Sequence, residues 1–185
     1  MYQKIQTHKN IIVVGGTYRN LGKTEFICSL LKRFNEKDIV VMKIKTRYPG
    51  DGKFHGRGKR LESGYLIRRE DSTEGMEDSK RLLDAGASSV LYIRSRAEKL
   101  GEAMEEALAA TKKQLIICES NSVVDVLSPA AYIMIIGPDR ERYKPSSTRL
   151  MDKADIIIKS SGMSFDINPE DLNISAEGGK WIIRG

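Results

Sequence analysis

The chain is poor in the residues that staple or metallate small domains. It has two cysteines, Cys28 and Cys118, in 185 residues. They lie in separate apolar stretches and form no CxxC pair, which excludes a disulfide framework or a zinc ribbon and leaves two buried thiols as the expectation. The two histidines, His8 and His55, are far apart and give no local metal-ligand pattern. Aromatic residues make up only 6% of the chain. No apolar run approaches the ~18 residues of a membrane span. Met1 to Asn10 is polar and lacks a signal-peptide core, so no membrane partner and a cytoplasmic location are expected.

What is present is an ordinary globular composition, 40% hydrophobic and 30% charged, with a net charge of +6. The length fits one domain, residues 1–185, with 160–185 as a small appended segment. The positive charge is concentrated. Residues 43 to 69 hold nine Lys or Arg against Asp51 and Glu62, a local excess larger than the net charge of the whole chain. A localised basic segment points to an anionic partner.

Short apolar runs alternate with stretches of helical periodicity. Ile11–Val14, Ile39–Ile44, Ser89–Ile93, Leu115–Cys118, Tyr132–Ile136 and Asp155–Ile158 read as buried strands, with Tyr65–Ile67 as a short one. Gly22–Asn35, Glu74–Ala85 and Ala97–Thr111 read as helices, the second stopped by Gly86. Asn168-Pro169 reads as a helix start and Ile174–Ile183 as a small hairpin. This order predicts an α/β domain of three layers, a mostly parallel central sheet with helices on both faces. Ligands of such sheets bind beyond the C-terminal ends of the strands.

The segment that carries chemistry is Ile11-Ile-Val-Val-Gly-Gly-Thr-Tyr-Arg-Asn-Leu-Gly22-Lys23-Thr24. A buried strand runs into two glycines, a polar loop, and Gly-Lys-Thr at the head of an amphipathic helix. Backbone N–H groups in such a loop form an anion nest, and the helix N-terminus adds partial positive charge. Lys23 is placed to reach β- and γ-phosphates and the Thr24 hydroxyl to complete a Mg²⁺ shell. The expected nucleotide contacts are Gly15, Gly16, Thr17, Arg19, Asn20, Leu21, Gly22, Lys23, Thr24 and Glu25. Five residues separate Gly16 from Gly22, one more than the standard pattern. Arg19 either touches the phosphates or points to solvent.

A triphosphate site also needs a carboxylate at the end of a neighbouring strand. Glu119, directly after Leu115–Cys118, is the first candidate for metal and water, and a cap for residues 120–122 is its alternative. Asp78 is a second candidate metal ligand or a charge complementing its helix. Asp71 is either a further carboxylate or a partner of Arg68 and Arg69. The glycine-rich basic loop 43–60 suits a phosphorylated small molecule, a nucleic acid, or solvent alone. Its two aromatics, Tyr48 and Phe54, disfavour nucleic acid. Asp139–Pro145 follows another strand and reads as a ligand-edge loop or a charged surface loop.

Gly22-Lys23-Thr24, Asp78 with Ala85-Gly86-Ala87 and Val90, and the strand ending in Glu119 resemble the molybdopterin-guanine dinucleotide biosynthesis protein B family. The likeness covers roughly residues 10 to 125. It implies a P-loop NTPase fold, GTP and Mg²⁺ binding, and a part in molybdenum cofactor biosynthesis. The chain departs from the family pattern in the longer loop, in Lys43-Ile44-Lys45-Thr46 where the family has a histidine-bearing segment, and in Glu119-Ser120-Asn121 where it has Glu-Gly-aromatic. No Asn-Lys-x-Asp motif is present, so ATP and GTP both stand as the nucleotide. Hydrolysis, small-molecule phosphorylation with the acceptor held by the basic loop, and a non-catalytic nucleotide switch or adaptor are the three functions compatible with these residues. A homodimer is a compatible assembly.

Overall fold

The computed structural model describes residues 6–49, 61, 63–70, 77–111 and 114–184. Its centre is a seven-stranded sheet. In chain order the strands are β1 (Thr7–Gly16), β2 (Ile39–Arg47), β3 (Tyr65–Glu70), β4 (Ser89–Arg96), β5 (Leu115–Glu119), β6 (Ser128–Ile136) and β7 (Ile156–Lys159). Their order across the sheet is β3-β4-β2-β5-β1-β6-β7. All neighbours are parallel except the edge strand β3, which runs antiparallel to β4. This is the α/β fold with a mostly parallel sheet that the alternation of runs predicts.

The strands are near-continuous apolar runs because both faces are covered. Ile12 and Val14 of β1 join Val41, Ile117, Ile133 and Ile135 beneath helix α1 (Lys23–Arg33). Ile11 and Val13 join Val40, Met42, Ile116 and Met134 on the other face, where helix α3 (Leu100–Ala110) supplies Leu100, Ala103, Met104 and Ala107. Helix α2 (Glu77–Asp84) packs beside α1. Gly86, with φ of 111°, ends α2 as Ala87 N–H donates to the Leu82 carbonyl. A short helix α4 (Pro145–Leu150) follows β6 and buries Leu150 in the α3-side cluster. Cys28 and Cys118 are both buried free thiols, and burial pushes the Cys118 thiol up to about 12.

Several elements run further than periodicity alone indicates. Strand β1 begins at Thr7 because its polar start still pairs with β6 at Ser128. Strand β2 continues through Lys45, Thr46 and Arg47, so the first residues of the expected basic loop are sheet, in register with Arg94, Ser95 and Arg96. Residues 50–60, which carry the rest of that loop, lie outside the described residues, as does Asp71. The expected helix at Asn168-Pro169 is only a single 3₁₀ turn, Pro169–Asp171, after which the extended Leu172 drops into the core.

The tail forms the antiparallel hairpin β8 (Ile174–Glu177) and β9 (Lys180–Ile183), turned by Gly178 and Gly179, both with positive φ. It is built into the core. Ile174, Ala176 and Trp181 are buried, and the Trp181 indole donates to the Ile116 carbonyl at 3.2 Å. The Trp181 ring meets Phe34 edge-on at 5.2 Å. Arg33, in the last turn of α1, donates to the carbonyls of Pro169, Leu172 and Ile174 at 2.8–2.9 Å. No helix among the described residues is long and apolar enough to cross a membrane.

Candidate functional site

Strand β1 lies between β5 and β6, and the chain leaves it towards β2 on one side and returns to β6 on the other. A crevice therefore opens at the C-terminal end of β1. Gly15 and Gly16 stand there, with Glu119 at the end of β5 in register with Val14 on one side and Lys43 on the other. A cleft of about 800 Å³ runs over these strand ends.

The glycines are required by what touches them. A Cβ on Gly15 would overlap the Asn121 amide and the Tyr132 ring, and one on Gly16 would lie 2.9 Å from Lys23 Cδ. Gly16 N–H donates to Asn121 Oδ1 at 2.8 Å, and Asn121 Nδ2 returns a bond to the Gly16 carbonyl at 3.0 Å. Asn121 thus clamps the start of the loop. Thr17 is fully buried and structural. Its N–H goes to Ile135, its hydroxyl accepts from Gly137 N–H, and its carbonyl accepts from Lys144 N–H and the Ser147 hydroxyl. Leu21 is likewise in the core, and its carbonyl accepts from the buried Ser160 hydroxyl at 2.9 Å. Of the expected contacts, then, the Thr17 side chain and N–H and the Leu21 side chain are taken by the protein itself.

Between these anchors the backbone arches with Asn20 at φ 61° and Gly22 at φ 75°. Among the described residues, nothing accepts a hydrogen bond from the backbone N–H groups of residues 18 to 25. The last three open α1, whose N-cap Gly22 offers no side chain to satisfy them. Arg19 and Asn20 are exposed.

Tyr18 seals the loop from behind. Its phenol lies directly on Gly137, where a Cβ would overlap the ring, and the Arg142 guanidinium lies over the ring 4.4 Å from its centroid. Gly137→Ala is therefore expected to lower stability by roughly 1–3 kcal/mol through forced displacement of Tyr18, read as a fall in melting temperature. An unchanged melting curve would mean that Tyr18 yields freely and does not support the loop.

Lys23 folds back over Gly16 and donates to the Tyr18 carbonyl at 3.1 Å. Burial is the main cause that lowers its pKa. Glu119 opposes that shift, and Lys43 and Arg19 add to it. Thr24 Oγ1 donates to Glu119 Oε2 at 3.4 Å. The same Oε2 is 3.3 Å from Lys43 Nζ, which also binds Asp78 Oδ2 at 2.7 Å. Burial works against the Lys43 charge, but Glu119 and Asp78 outweigh it and hold its ammonium above the ordinary lysine value. The bond to Lys43 in turn holds the Asp78 carboxyl below its ordinary range.

The expected metal set Thr24, Glu119 and Asp78 is thus divided. Thr24 and Glu119 meet, whereas Asp78 is bound to Lys43 and serves as its counter-ion. Among the described residues no group of three His, Cys, Asp or Glu could hold a metal ion. A hydroxyl and one carboxylate are a fit for Mg²⁺, which draws its other ligands from phosphate and water, and a poor fit for a metal that needs an all-protein cage. Glu25 is exposed and paired with Arg81 on α2, so its side chain faces away from the cleft.

Two residues have parts in the site other than those read from the sequence, where Lys43 belonged to the basic loop and Asn121 to the residues that Glu119 would cap. Lys43 is the one charge within the apolar run of β2, facing the α1 side between Val41 and Lys45, and a buried lysine there requires carboxylate partners. Asn121 gives no such signal, because a strand-end amide is common. The Asp139–Pro145 segment does reach the site. Lys144 lines the cleft, and burial with the nearby Lys23 and Arg19 charges lowers its pKa. Arg19, Lys23 and Lys144 thus border an open volume together with the glycines at the end of β1, a set of charges suited to a polyanion. Compared with protein-family models, with curated proteins and with solved structures, the chain matches none.

Proposed function

We propose that the protein binds the Mg²⁺ complex of a nucleoside triphosphate, ATP or GTP, in a P-loop arrangement of residues 15–24 and promotes attack on the γ-phosphorus. The observation that carries this reading is the run of N–H groups at residues 18–25 that find no acceptor among the described residues, with the Lys23 ammonium beside them at the C-terminal end of β1. In the bound state Lys23 exchanges the Tyr18 carbonyl for phosphate oxygens, and the first turn of α1 donates to the β-phosphate. Thr24 and Glu119 would hold Mg²⁺, which supplies neutralisation of charge on the β- and γ-oxygens. Glu119 Oε2 is held by Lys43 and Thr24, which leaves Oε1 to act on the metal or on the attacking water. Catalysis of this kind is positioning and electrostatics. The resemblance of residues 10–125 makes assistance to molybdenum cofactor assembly the first pathway in which to look for the role.

Titration with ATP, GTP, CTP and UTP, with and without Mg²⁺, tests the reading. Binding on the order of micromolar for at least one purine nucleotide, weakened at least about tenfold by removing Mg²⁺, is expected. No binding of any of the four would remove it. Affinity should also depend on pH in a defined sense. An anion favours the ammonium form of Lys23, whose pKa in the free protein is lowered from 10.5. Affinity should hold near neutrality and fall as the pH rises through that lowered value. Calorimetry from about pH 7 to about pH 11 checks this. A fall that begins only above the ordinary lysine value would mean that Lys23 is not desolvated.

A further inference from the structure

The segment that leaves β6 is tied to the phosphate loop through Thr17. Gly137 N–H donates to Thr17 Oγ1 at 3.1 Å, and the Tyr143 hydroxyl closes back on the Gly137 carbonyl at 2.7 Å. Lys144 N–H then donates to the Thr17 carbonyl at 2.9 Å. Ser147 Oγ lies 3.1 Å from that same carbonyl and 2.7 Å from the carbonyl of Lys144. Thr17 thus spends its hydroxyl and its carbonyl on holding the two ends of this return. The main chain at Lys144 is fixed against the loop, at the residue after which the run of free N–H groups begins.

The side chain of Lys144 is not fixed in this way. It lines the cleft with Arg19 and Lys23, and among the described residues its ammonium has no hydrogen bond or ion pair. Glu119 is the one carboxylate among the described residues that line the cleft, and it is engaged with Thr24 and Lys43. Strand β1 lies between β5 and β6. Glu119, from the end of β5, and Lys144, from the segment after β6, therefore flank the end of β1 from opposite sides.

We propose that Lys144 is a specificity-determining residue of this site: its ammonium binds the terminal phosphate of the nucleotide, so that a triphosphate is held in preference to a diphosphate. The proposal rests on the nucleotide reading above and gives a part to a cation which that reading leaves unused. There the first turn of α1 takes the β-phosphate, and Glu119 with the metal marks the place of the γ-phosphate. The charges that act on Lys144 are those of Lys23, Arg19 and Glu119, the groups around that same place. Burial first, and then the Lys23 and Arg19 charges, lower the pKa of Lys144, while Glu119 raises it. An empty cleft therefore crowds like charges. The terminal phosphate carries more charge than the bridging ones and relieves that crowding most. A lysine on a fixed main chain meets it with a compact charge on a flexible stem, and only one side chain has to be ordered.

The test is a titration of the full chain, wild type and Lys144→Ala, with the diphosphate and a non-hydrolysable triphosphate analogue of adenosine and of guanosine, each with Mg²⁺. In Lys144→Ala the triphosphate analogue should bind about tenfold more weakly, with diphosphate affinity within about twofold of wild type. The melting temperature should not fall, because the bonds that fix residue 144 are main-chain bonds that alanine keeps. Equal weakening of both nucleotides would overturn the assignment, since a contact to an inner phosphate or a diffuse charge effect acts on both. Unchanged binding of both would leave Lys144 with no part in recognition and the nucleotide reading intact. Failure of the wild-type chain to bind any of these nucleotides overturns the nucleotide reading and the proposal with it.

Discussion

Lys23→Ala is expected to cost roughly a hundredfold or more in triphosphate affinity while leaving the fold intact. In the proposed complex the ammonium gives charge-assisted bonds to two phosphate groups from a partly desolvated position, where such bonds are worth about 1.5–3 kcal/mol each. Among the described residues its hydrogen-bond partner is the Tyr18 carbonyl. The charge is held at a cost in burial, so its loss should not lower the melting temperature and should raise it slightly if anything. The two measurements together are decisive. Unchanged ATP and GTP affinity in a folded Lys23→Ala protein would exclude the loop as the triphosphate seat.

Glu119→Gln should separate binding from turnover. The amide keeps the shape of the side chain and an oxygen for Thr24, but loses the charge that faces Lys43 and the metal position. Turnover is expected to fall about 10²–10³-fold, the scale for removing one group that acts on the transferring phosphoryl. Nucleotide affinity should change only a few-fold, because the N–H donors and Lys23 are untouched. Lys43 retains Asp78 at 2.7 Å, so the fold should survive. Release of phosphate at the wild-type rate in single-turnover assays would remove Glu119 from the chemistry.

The sheet was legible because its strands are buried on both faces, and a run such as Ile11–Val14 has few other ways to satisfy itself. The loop was legible for a related reason: two glycines, a lysine and a hydroxyl residue at a strand-to-helix junction are a local pattern. What escaped was long-range. Asp78 looks the same in sequence whether it meets a metal or Lys43, which lies 35 positions earlier. Thr17 and Leu21 sit inside the motif, yet partners at Ile135, Gly137, Ser147 and Ser160 claim them. The extension of β2 through Arg47 was hidden because charged residues at a strand end read as loop unless the neighbouring strand is known to continue beside them.

The hairpin beneath α1 has a consequence for the order in which the protein is made. The ribosome releases β1, the loop and α1 early, but Trp181 and the carbonyls that hold Arg33 come roughly 140 residues later. A nascent or truncated chain ending before residue 169 carries every group of the loop and still leaves Phe34 and the underside of the helix uncovered. Such a fragment presents an apolar patch that chaperones and proteases recognise. The helix that carries Lys23 is thus covered only once residues 169–183 have emerged and folded against it.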